Sequence, residues 1–121
     1  MSRAVLLVAP SPESNRSLAT ALRAMGQTVH CAAELGGLMA LALAKPFETI
    51  IFDMGLGEIV PRDLLEELRS RLPETPVLFL HSGRNEHLET LSADFPLVRV
   101  LRHPFTVDEL RSALENKDLA A

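Results

Sequence analysis

The chain has 121 residues, 47% hydrophobic and 23% charged, which is the balance of a folded globular protein and the length of one domain, expected to span residues 1–121. A net charge of −4, with arginines scattered among acids, argues against direct nucleic-acid binding through a basic stripe. A single cysteine rules out an internal disulfide, the opening MSRAVLLVAP is too short an apolar run for a signal peptide, and charges interrupt every run before it could span a bilayer, so a cytoplasmic protein with no membrane segment is expected.

In chain order, Ala4 to Val8 is a short apolar run stopped by Pro10 and reads as a buried strand. Ser11 offers an N-cap oxygen, Pro12 suits the first helical position, and Leu18, Leu22 and Met25 recur at helical spacing before Gly26. Thr28, Val29 and Cys31 make a second strand, with Cys31 expected in the core as a small hydrophobe and His30 on the surface. An Ala/Leu-rich helix opens weakly at Gly36-Gly37 and is stopped by Lys45-Pro46. The β-branched and aromatic run Thr49-Ile50-Ile51-Phe52 leads directly into Asp53, and Gly55 and Gly57 then predict a loop.

From Pro61, leucines 64, 65, 68 and 72 define one apolar helix face, with Glu67 and Arg71 paired on the other. Val77 to Leu80 reads as a fourth strand, Leu88 and Leu91 as a short helix between Gly83 and Pro96 with His87 on its surface, and Leu97 to Leu101 as a fifth strand. Thr106 and Glu109 form a capping box for the last helix, with Phe105 and Leu110 as its hydrophobic staple. Five strand–helix units with short connections call for a parallel sheet covered by helices on both faces. Functional groups in such sheets collect where strands end, so Ala9, Asp53, His81 and His103 are expected to converge at the carboxyl edge.

These features together resemble the receiver domain of bacterial response regulators over nearly the whole chain. The local matches are LLV before position 9, IIFD with the glycine-containing loop, and HPFTVDEL, which looks like the family's lysine-proline-phenylalanine turn and last helix. The resemblance implies a flavodoxin-like (βα)₅ three-layer sandwich with strand order 2-1-3-4-5, and a cis bond between His103 and Pro104. It also implies a two-component phosphorelay switch in which Asp53 takes a phosphoryl group from a sensor histidine kinase with a bound Mg²⁺. The family's acidic metal-binding pair falls on Ala9 and Pro10. Its phosphate-reading Ser or Thr aligns with His81, with Ser82 one residue on; its lysine aligns with His103 and its switch aromatic with Val100.

Asp53 alone is a poor Mg²⁺ site, because that ion prefers octahedral oxygen ligands and usually takes one or two carboxylates. Phosphoryl transfer depends on neutralising charge on the phosphoryl oxygens, which a partly charged imidazole does less well than lysine. The expectation is therefore a degenerate, pseudo-receiver pocket of Ala9, Pro10, His81, Ser82 and His103 around the phosphoacceptor position Asp53, with no catalytic residue and no cofactor. His81 or His103 is expected within hydrogen-bond reach of Asp53. The protein would then act by docking a partner or output domain rather than as an enzyme. The alternative is a working receiver that uses Mg²⁺ and accepts phosphate on Asp53.

By the same resemblance, the partner or homodimer surface comprises the fourth helix, fifth strand and fifth helix, carrying Arg99, Arg102, Arg111 and Glu115. A transition-metal site of Asp53, His81 and His103 is chemically conceivable but needs more coincidences than a His–Asp cluster. Flavin binding is disfavoured, since the loop after the first strand lacks glycine and the chain has no Trp or Tyr. A Ser nucleophile is disfavoured as well, because neither Ser11 nor Ser82 lies in an elbow motif.

Overall fold

In the computed structural model, the residues described are 3–9, 12–32, 35–55, 62–82 and 86–115. They alternate strand and helix throughout: β1 Arg3–Val8, α1 Pro12–Ala24, β2 Gln27–Ala32, α2 Leu35–Ala44, β3 Thr49–Gly55, α3 Arg62–Arg71, β4 Val77–Ser82, α4 Glu86–Asp94, β5 Val98–His103 and α5 Val107–Glu115. All pairings are parallel and the sheet order is β2-β1-β3-β4-β5. This is the flavodoxin-like order expected from the sequence.

Alternation along each strand divides the core into two slabs. On one face, Leu6, Val8, Ile50, Phe52, Val77 and Phe79 pack against Leu38 of α2, Leu65 and Leu68 of α3, and Leu88 and Leu91 of α4. On the other, Val5, Leu7, Ile51, Leu78 and Leu80 pack against Leu18 and Leu22 of α1 and Leu110 and Leu114 of α5. Helices thus cover both sides of a sheet whose inner strands are apolar on both faces, as a parallel sheet requires.

Several local signals act as the sequence implies. Gly26 takes a φ of +90°, the left-handed conformation that ends α1 at no steric cost. The Thr106 hydroxyl accepts from the Glu109 amide at 3.0 Å while Glu109 Oε1 accepts from the Thr106 amide at 3.1 Å, closing the capping box of α5. Glu67 and Arg71 pair at 3.5 Å on the exposed side of α3. The His103–Pro104 bond is cis. The predicted cap at Ser11, the loop glycine Gly57 and the helix boundaries at Pro61 and Gly83 lie outside the described residues.

Three expectations need correction. Cys31 is exposed, on β2 at the edge of the sheet. Gly55 is the last residue of β3, where a register shift between Asp53 and Gly55 marks a bulge. Leu97 precedes β5 instead of opening it, and its φ of 59° places a bulky side chain in the left-handed region.

Arg69 holds that region together. Its Nε donates to the Pro96 carbonyl at 2.9 Å, Nη1 to Leu72 at 2.7 Å, and Nη2 to Thr75 at 2.6 Å and Leu97 at 3.5 Å. One guanidinium therefore satisfies carbonyls from the end of α3, the turn before β4 and the turn before β5. Burial pulls the Arg69 pKa below its ordinary value through desolvation, but an arginine has ample margin to stay charged. Arg69→Met keeps the stem and removes the fork. It is expected to cost about 2–3 kcal/mol in urea denaturation, since charge-assisted hydrogen bonds are lost and carbonyls are left unpaired; a loss below about 0.5 kcal/mol would show the fork to be ornamental.

Candidate functional site at the carboxyl edge

Four strands bring side chains at or next to their carboxyl ends to one edge. Val8 of β1 pairs with Phe52 of β3, so the next residues, Ala9 and Asp53, lie side by side. Ser82 of β4 pairs with His103 of β5. Phe52 belongs to the slab under α2, α3 and α4, and alternation turns Asp53 to the opposite side, toward α1 and α5. There Asp53 is 8% exposed.

His103 and Ser82 face the same space. Asp53, Ser82 and His103, with Ser17 from α1, form the polar end of a cavity of about 500 Å³ between α1 and the start of α5. His103 Nε2 stands 4.0 Å from Asp53 Oδ1, and its ring lies 4.5 Å from that of Phe105. At 4.0 Å the contact is an ion pair when the imidazole is protonated and is too long for a hydrogen bond. The expected hydrogen bond is thus replaced by a looser electrostatic contact.

His81 does not join this group. Leu80 packs with the α1/α5 slab, so alternation along β4 directs His81 away from it and Ser82 toward it. His81 is 2% exposed, its Nδ1 has no hydrogen-bond partner, and it does not line the cavity. Among the described residues no three His, Cys, Asp or Glu side chains are grouped to hold a metal ion, which removes the Asp53, His81 and His103 arrangement. Pro10 lies outside the described residues.

No protein-family model matches the sequence, and no curated protein sequence does. Solved structures match over nearly the full chain. Chemotaxis protein CheY4 of Vibrio cholerae is 22% identical with a TM-score of 0.79, covering 95% of this chain and 98% of that one. A response regulator receiver domain protein from Clostridium thermocellum is 19% identical with a TM-score of 0.82, covering 95% and 93%. The signal receiver domain of an HD domain-containing protein from Pseudomonas fluorescens is 21% identical with a TM-score of 0.79, covering 97% and 98%.

The fold is that of a response-regulator receiver domain. The Mg²⁺ that the receiver fold implies does not fit the residues described. Asp53 is the one carboxylate lining the cavity among them, and the position beside it carries the methyl group of Ala9, which is 4% exposed. An ion that keeps near-ideal octahedral oxygen geometry finds too few hard ligands here. Sequence reasoning missed Ser17 and the α1 wall of this cavity. The signal was available in the spacing of Ser17, Leu18 and Ala21, which share the face of α1 turned to α5.

Proposed function

We propose that this chain is a receiver-type signalling domain of a two-component system that works by protein–protein docking, with phosphoryl transfer to Asp53 slow or absent. The carrying observation is the buried methyl of Ala9 directly beside Asp53, in place of a carboxylate that could share a metal ion. His103 supports the reading. Its imidazole lies 4.0 Å from Asp53 at the position the resemblance gives to lysine, so a conditional positive charge sits where a fixed one would be needed.

The docking surface is α4, β5 and α5, and the partner is an output domain, a sensor histidine kinase or a second copy, met in the cytoplasm. β5 is an edge strand, and Arg102 and Glu115 are exposed on this surface. Arg111 pairs with Asp108 at 3.2 Å and Arg99 donates to the Ala113 carbonyl at 3.4 Å, so these two arginines also brace α5. Among the described residues no helix is long and apolar enough to cross a membrane.

Incubation with acetyl phosphate and Mg²⁺, followed by intact-mass measurement, tests the proposal. The expected result is no appreciable phosphoryl adduct. A stoichiometric gain of one phosphoryl group, with acetate released and the gain abolished by Asp53→Asn, would establish the working receiver instead.

A further inference from the structure

We propose that the cavity beside Asp53 binds a small organic cation, a primary amine carried on an apolar ring or short chain. Its volume of about 500 Å³ lies within the range of small-molecule sites, and it has the composition such sites have, apolar walls with a few converging polar groups. Leu18 and Ala21 of α1 form one wall; Phe105, Val107 and Leu110 form the other. Val107 is 52% exposed, so an apolar ligand body seated there would cover hydrophobic surface that the fold leaves open.

The polar end fixes the sign of the ligand. Among the described residues, the ionisable side chains lining the cavity are Asp53 and His103, and neither Lys nor Arg lines it. An anionic head would meet a buried carboxylate with no permanent cation among the described lining residues to offset it. An ammonium head would meet its counter-charge in a partly desolvated pocket. The 4.0 Å separation of His103 from Asp53 exceeds a hydrogen bond, which leaves carboxylate lone pairs for an N–H donor of the ligand. The Ser82 and Ser17 hydroxyls that line the cavity can accept further N–H bonds. The site requires neither a metal nor phosphoryl transfer, so it goes beyond the docking role and stands whether or not Asp53 accepts phosphate.

Phenethylamine and hydrocinnamate, which match in ring and chain but differ in charge, provide the test. Amide proton–nitrogen correlation spectra of the wild-type chain are titrated with each. The amine is expected to shift Leu18, Asp53, Ser82 and Leu110 saturably with a millimolar Kd, and hydrocinnamate to bind at least about tenfold more weakly. Asp53→Asn is expected to weaken the amine about tenfold, and Ala21→Leu, which narrows the cavity without altering charge, to weaken it by a similar factor. The absence of saturable shifts with the amine, equal or tighter binding of hydrocinnamate, or shifts confined to another surface would overturn the proposal. The wild-type comparison of the two probes decides the matter even if a variant fails to fold.

Discussion

Phe52→Ala is expected to destabilise the protein by about 3–5 kcal/mol, the usual cost of truncating a buried aromatic. Phe52 and Phe79 are both 0% exposed, with ring centroids 5.1 Å apart, in the slab beneath α2, α3 and α4. The sheet on one side and the packed leucines of α2, α3 and α4 on the other restrict collapse into the vacated volume, so the cavity penalty adds to the lost transfer energy. A domain with a typical stability of about 5–15 kcal/mol would lose a large share of it. Urea denaturation should show a lower midpoint with an unchanged slope, and Phe52→Leu a loss on the order of 1 kcal/mol. If Phe52→Ala costs less than about 1 kcal/mol, the two rings do not form the packed centre described. Phe52 also bears on the site, because anchoring this side chain on one face turns its neighbour Asp53 to the other.

The fold was legible because its signals were redundant. Short apolar runs ending at Pro10 and Asp53, the leucine face of α3 and the Thr106–Glu109 box each pointed to the same alternating pattern. The site was less legible for physical reasons. β4 is apolar on both faces over Val77 to Leu80, so nothing in the sequence showed which of His81 and Ser82 faces Asp53. Cys31 was misplaced because burial at an edge strand depends on how far a helix reaches over it, which the residue's own polarity does not encode. The Arg69 fork was invisible for a related reason: it gathers two nearby carbonyls, Leu72 and Thr75, with that of Pro96, 27 residues away, and backbone carbonyls carry no residue signature. Leu97 extends the apolar run of β5, yet the turn before that strand takes it out of the ladder.

Ala9→Asp is expected to make the stability of the protein dependent on Mg²⁺, and the wild type is expected to show no such dependence. Continued one step past Val8 and Phe52, the parallel register of β1 and β3 puts the new carboxylate beside Asp53, on chains about 4.8 Å apart. Both groups are largely withdrawn from water, since Ala9 is 4% and Asp53 8% exposed. Without metal, like-charge repulsion and desolvation should cost about 2–4 kcal/mol. Two adjacent carboxylates provide the hard oxygen ligands that Mg²⁺ takes, so the ion should bind the folded state of the variant and not its unfolded chain. At a hundredfold excess over its Kd, such binding restores about 2.7 kcal/mol. Ala9→Asn has nearly the same shape without the charge and should lose less stability and gain little from the ion. Thermal denaturation with Mg²⁺, against NaCl at matched ionic strength, separates site binding from general screening. Equal Mg²⁺ stabilisation of wild type and Ala9→Asp would mean that the Ala9 methyl does not close the metal site, and the docking proposal would then lose the observation that carries it.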